Sequence, residues 1–162
     1  MKRAALPLLV VLALAVPVRA DAPSDQYQPF AKDVRTIFDK KTHLRWQRFV
    51  DPTKTVLAGD FTAGQSYCDQ GELPAWGGPG WRLPTVKELL TLVDENPHEE
   101  FVGGKSSLRY IDRNAFAGTP TDLSYLTLSD DVSSQWVVEF KTGTASRQNT
   151  GAFYVRCVRA EP

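Results

Sequence analysis

Histidine and cysteine are scarce in this chain, whose 162 residues carry two of each. His43 and His98 lie far apart in the sequence, and no serine or cysteine nucleophile is placed beside either by sequence. A structural zinc ion wants four ligands, so two cysteines without neighbouring histidines make a poor site. Charge of one sign is lacking too. Lys and Arg number 19, as do Asp and Glu, so the formal net charge is zero. A dedicated nucleic-acid binder carries a strongly basic footprint, and this chain has none. No segment repeats at a fixed period, and no apolar run reaches the ~20 residues of a membrane-crossing helix. These absences leave neither a catalytic centre nor a cofactor or metal site to be expected.

The apolar run that is present lies at the start. Lys2 and Arg3 precede Ala4 to Val16, a run of roughly 13 residues without a charge, too short to span a bilayer. Pro7 and Pro17 weaken a long helix further. Val18 and Ala20 suit a signal peptidase, so residues 1–20 read as a secretory signal peptide. The cut site has no cysteine to accept a lipid. Lys2, Arg3 and Arg19 account for three of the 19 basic residues, so the mature chain carries 16 basic against 19 acidic residues. The product is expected in the periplasm or outside the cell. In an oxidising compartment Cys68 and Cys157 most simply form a disulfide, with free thiols or a metal site as alternatives. Closing so long a loop contributes at most about 4–5 kcal/mol.

Along the mature chain, residues 21–32 read as a flexible arm and 33–160 as one α+β domain. Residues 34–38 and 44–49 are β-rich runs around a polar break and predict a hairpin. Leu44 and Trp46 would then face inward, with Arg45 and Gln47 outward. Residues 62–70 suit a short helix, capped by Thr62 or Asp60. Thr85 and Glu88 form a capping box after Pro84. Val86, Leu89, Leu90 and Val93 then share one helical face, which Asn96-Pro97 should end. Residues 97–131 show no sustained period and predict a long irregular insertion, tacked down by Phe101, Leu108, Tyr110, Ile111, Phe116 and Tyr125. Residues 135–141 and 152–159 predict strands with a short intermediate strand between them. In the last run Phe153, Val155 and Cys157 share one face, and Tyr154, Arg156 and Val158 the other.

Five stretches, taken together, resemble a known family: Asp39-x-x-Thr42-His43-Leu44-Arg45-Trp46-Gln47, Tyr67-Cys68, Gly80-Trp81-Arg82-Leu83-Pro84-Thr85-x-x-Glu88-Leu89, Ile111-Asp112-x-x-x-Phe116 and Tyr154-Val155-Arg156-Cys157-Val158-Arg159. This is the DUF1566 or Lcl C-terminal-domain family, named after the last domain of a collagen-like bacterial adhesin. The resemblance covers nearly the whole mature chain. It implies a C-type-lectin-like domain with two short helices, a twisted antiparallel sheet, a long irregular insertion and a disulfide from helix to last strand. It also implies an exported bacterial protein, and adhesin-fused members are associated with sulfated glycosaminoglycans. Two positions depart from the family pattern. His43 replaces a usual turn glycine, and Leu126 stands where a tryptophan is common.

The resemblance and the residues together favour a non-catalytic binding module for carbohydrate or another cell-surface polymer. Candidate ligand-binding residues are Lys105, Arg109 and Arg113 in the insertion, since several cations within reach suit an anionic polysaccharide. Trp76, in a Gly/Pro loop, is the tryptophan most suspected of exposure. Arg156 and Arg159 suit ion pairing or packing over the sheet. The acid pairs at 94–95, 99–100 and 130–131 read as solvated loops rather than a glycosidase or calcium site. Calcium-bridged sugar binding in lectins of this fold uses a Glu-Pro-Asn-like triplet, whereas Glu95-Asn96-Pro97 has another order, and Trp136 is followed by Val137. Two alternatives stand. One is an envelope protein-interaction domain docking a partner through its sheet or arm. The other is an enzyme related in fold to formylglycine-generating enzymes, which use a reactive cysteine pair.

Overall fold

The computed structural model describes residues 25–30, 33–58, 60–70, 78–131 and 134–161. The expected signal peptide and Trp76 lie outside the described residues. Four strands form the first sheet: β1 (Tyr27–Phe30), β2 (Asp33–Asp39), β3 (Leu44–Gln47) and, arriving last in sequence, β11 (Val158–Ala160). Their order is β1-β2-β3-β11. The β2–β3 hairpin is the one expected, but β1 corrects the arm, because Tyr27 to Pro29 pair with Asp39 to Ile37. Tyr27 anchors it, its ring meeting Phe116 edge-on at 5.1 Å.

β4 (Thr55–Leu57) and α1 (Phe61–Gln70) follow, then α2 (Val86–Leu90). The capping box at α2 is formed as expected: Glu88 N donates to Thr85 Oγ1 at 3.2 Å and Thr85 N to Glu88 Oε2 at 2.8 Å. Arg82 completes it with two bonds to the same carboxylate, 2.9 and 2.7 Å. The helix, however, ends at Leu90, well before Asn96-Pro97. Thr91 Oγ1 donates to the Glu88 carbonyl at 2.7 Å, and Leu92 takes the core position that the helical period had assigned to Val93.

The insertion is also more regular than its sequence suggests. β5 (Val93–Val102) and β6 (Lys105–Ile111) form a two-stranded antiparallel ribbon around Gly103-Gly104. Both glycines have positive φ, 59° and 78°, the backbone a two-residue hairpin turn demands. The five-stranded sheet is built from β7 (Tyr125–Asp131), β8 (Ser134–Glu139), β9 (Thr144–Gln148) and β10 (Ala152–Tyr154), with β4, in the order β4-β10-β7-β8-β9. The protein is thus mixed helix and sheet, mostly sheet. Three sheets are described where one was expected, and β10 runs parallel to β7.

The five-stranded sheet has a core on each face, because alternate residues of its strands point opposite ways. Tyr125, Val138 and Tyr154 join Ile37, Trp46 and Phe116 on one side. Leu126, Val137 and Phe153 join Trp81, Leu83 and Cys68 on the other. Leu126 is therefore core, its side chain lying 2.8 Å from where a Cβ on Gly64 would stand. The run 152–159 keeps its expected alternation but not its continuity. After Tyr154 it leaves one sheet and rejoins the other as β11. Cys157 in that crossover bonds to Cys68 of α1, with both residues fully buried and 89 positions apart.

Arg45 and Gln47 were expected to face solvent and are buried instead, at 7% and 1% exposure. β3 is an interior strand, and its second face is covered by the C-terminus and α1. Arg45 pairs with Glu161 and lies 4.1 Å from the centre of the Phe30 ring. Gln47 accepts from Cys157 N at 3.1 Å and donates to Tyr67 Oη at 3.0 Å.

Candidate functional site

The ribbon β5–β6 and the loop that follows it enclose a cavity of about 210 Å³. The ribbon wall follows from strand alternation. His98 lies opposite Arg109 in register, and Glu100 and Ile111 share their face. The loop wall follows from Asp112, whose Oδ1 accepts from Asn114 N and Ala115 N, both at 2.8 Å. That turn carries Arg113 outward and sends Phe116 inward, where Phe116 N bonds to the Asp112 carbonyl at 2.9 Å. Thr119 closes the loop by donating from Oγ1 to the Phe116 carbonyl at 2.7 Å.

Three arginines surround Thr119 and do different things. Arg109 is half-buried, ion-paired to Glu100, hydrogen-bonded to the Thr119 carbonyl, and 3.1 Å from Thr121 Oγ1. Arg156 reaches in from the crossover, fully buried. Its Nη2 donates to Thr119 Oγ1 at 2.8 Å and its Nη1 to the carbonyls of Gln47 and Arg48 at 2.7 and 3.0 Å. The rings of Phe116 and Tyr125 flank it at 4.8 and 5.6 Å. Burial lowers its pKa, and Tyr125 and Tyr27 oppose that only in part. Arg113 is exposed and makes no ion pair or hydrogen bond among the described residues.

His98 is half-buried, and its Nε2 is buried without a partner among the described residues. Burial lowers its pKa, and the charges of Arg113 and Arg109 lower it further, against Asp94 and Asp112. An imidazole with a buried, unpartnered nitrogen among the described residues therefore lies near two cations. Among the described residues no group of three or more His, Cys, Asp or Glu could hold a metal ion. Both cysteines are consumed in the disulfide, which removes them as nucleophiles.

Of the sequence-derived candidates, Arg109 and Arg113 line this cavity together, Arg109 as part of its wall. Lys105 does not line it. Lys105 is exposed near the ribbon tip, on the same face as Arg109 by alternation and ~13 Å along the strand. Arg159 pairs with Glu161 at 2.9 Å and lies over Trp81. Trp46 and Trp81 are core, with exposures of 0% and 1%. His43 is an exposed turn residue at φ 57°, the left-handed conformation that favours glycine. Phe101 and Leu108, expected to tack the insertion down, are exposed instead, at 75% and 42%.

The acid pairs at 94–95 and 99–100 are expected as solvated loops, whereas His98 between them stands in the cavity wall. The overlooked signal was Gly103-Gly104, which fixes a hairpin register and sets His98 against Arg109. A family model, that of the Lcl C-terminal domain, matches residues 35–159. No curated protein and no solved structure gives a match. No helix among the described residues is long and apolar enough to cross a membrane.

Proposed function

The chain belongs to the Lcl C-terminal domain family, and from that premise we propose that it is an exported, non-catalytic binding module for an anionic carbohydrate or similar cell-surface polymer. On this reading the domain is C-type-lectin-like and works in the periplasm or outside the cell. The observation that carries it is the shared polar face of the ribbon, which presents exposed Lys105 and leads to the exposed Arg113 beside a cavity. Two uncommitted cations, one near the ribbon tip and one on the loop beyond its base, suit successive charges of an extended polyanion better than one small molecule.

Binding of the oxidised mature domain to neutral and anionic glycans at low and physiological salt tests this. The expected result is saturable, salt-weakened binding to anionic glycans alone, reduced several-fold by Lys105→Ala and Arg113→Ala together. Unchanged binding in that double variant would overturn the assignment.

A second reading, an envelope module that docks a protein partner, draws on Phe101 and Leu108. They share one ribbon face, diagonal to each other across the pair, and both are exposed. Failure of every glycan to bind, with the disulfide intact, would favour it.

A further inference from the structure

The cavity is too small for an oligosaccharide. At about 210 Å³ it falls below the ~300 Å³ at which pockets for drug-sized ligands begin, and has room for one ring or the charged end of a chain. Its polar groups are unevenly committed. Glu100 is bound to Arg109, and Arg109 is further tied to Thr119 and Thr121. What remains among the described residues is the buried, unpartnered Nε2 of His98, the exposed guanidinium of Arg113 and the exposed side chain of Asn114, with the charge of Arg156 fixed behind Phe116 and Thr119.

We propose that this cavity takes a single oxyanion group, a carboxylate or a sulfate, held by the imidazolium of His98 and the guanidinium of Arg113. This deepens the polymer-binding reading by naming the group recognised. Arg113 offers the planar fork that suits either anion. His98 contributes a donor at Nε2 only when a proton is there, and a bound anion favours the doubly protonated ring. Binding therefore takes up a proton. The charged groups around the imidazole are Asp94 and Glu100 on its own strand, Arg109 on β6, and Asp112 and Arg113 on the loop, with Arg156 behind. Without an anion, burial first and then the charges of Arg113 and Arg109 disfavour the protonated ring, against Asp94 and Asp112; a bound oxyanion would favour it.

The test is an NMR titration of the two histidine rings in the intact oxidised protein, at constant ionic strength set with sodium chloride. Separate arms add sodium glucuronate, sodium sulfate or glucose. The expected result is that glucuronate or sulfate raises the His98 midpoint while His43 is unmoved and glucose has no effect. The effective arm identifies the group, carboxylate or sulfate. Affinity of that anion should fall with rising pH, approaching about tenfold per pH unit once the imidazole is neutral. Arg113→Ala should abolish the shift while leaving the near-ultraviolet circular dichroism unchanged. An unmoved His98 midpoint in both anion arms, or equal shifts at His43, would overturn the proposal. A glycan polymer that still binds while His98 stays unmoved would leave the module reading intact and refute only this site.

Discussion

Arg156 and Arg113 lie on either side of one loop, and their surroundings divide the molecule into two regions. Around Arg156 the packing is dense: two carbonyls, a threonine hydroxyl and two aromatic rings surround it, and only its buried Nε lacks a partner among the described residues. Its neighbour Cys157 ties the same crossover to α1. Arg113 itself is uncommitted among the described residues, and the ribbon beside it exposes Phe101 and Leu108. The residues that make the family recognisable, the Trp81-to-Thr85 stretch and the 154–159 run, belong to the filled region. They build the frame that holds the loop, while the open groups lie on the ribbon and loop themselves. Motif residues and the residues proposed to contact a ligand are thus different sets here, even where both are arginines.

The sharpest way to break that comparison is to truncate both arginines. Arg156→Ala should cost about 3–5 kcal/mol, because it strands two buried carbonyls and leaves a void between Phe116 and Tyr125. Arg113→Ala should change stability by less than about 0.5 kcal/mol, as an exposed substitution away from caps and packing does. Urea unfolding of the oxidised domain measures both. Equal losses would mean that Arg113 is part of the frame and that the division is wrong.

A mid-sized effect separates the two regions by pH. Burial pushes the Glu88 carboxyl up, but Arg82 and the Thr85 amide and hydroxyl outweigh it and hold it below the ordinary glutamate range. A depressed carboxyl contributes stability above its unfolded pKa and loses it as pH falls through the folded value. Glu88→Gln should therefore destabilise by about 1 kcal/mol at neutral pH, the scale of a lost cap and a half-exposed ion pair. The gap to wild type should close below about pH 4. A gap that persists in acid would assign the loss to packing rather than to the charge. The anion site should respond in the opposite direction, strengthening as pH falls.

How much of this was legible in the sequence follows from the range of the forces involved. The β2–β3 hairpin and the capping box could be read because turn and cap chemistry act over three or four residues. Two cysteines in a chain expected to be exported made the disulfide readable as well. The end of α2 was misjudged because Leu92 and Val93 both satisfy an apolar pattern, and only tertiary packing selects Leu92. Arg45 and Gln47 were placed outward because alternation alone cannot reveal that Glu161, Phe30 and Tyr67 cover the second face. The cavity was hidden for the same reason. Arg109 and Arg113 stood out by charge, but that Glu100 would neutralise one and His98 would stand beside the other depends on a register no local rule supplied.

The smallest effect concerns a strained turn in the frame. His43 adopts φ 57° at the end of the β2–β3 turn, where its amide bonds to the Asp39 carbonyl at 2.9 Å. A side chain in that conformation costs roughly 1–2 kcal/mol relative to glycine, and the His43 ring returns part of it through its edge contact with Phe38 at 6.1 Å. Asp39 holds the turn by other means, accepting from Lys41 N at 2.9 Å and Thr42 Oγ1 at 2.7 Å. His43→Gly should therefore raise stability by about 0.5–1 kcal/mol, read as a higher urea midpoint at unchanged slope. Anion binding in the cavity should not change, since the turn shares no contact with the ribbon or its loop among the described residues. A loss of stability instead would mean that the Phe38 contact outweighs the backbone strain, and that the histidine is a fitted part of the frame.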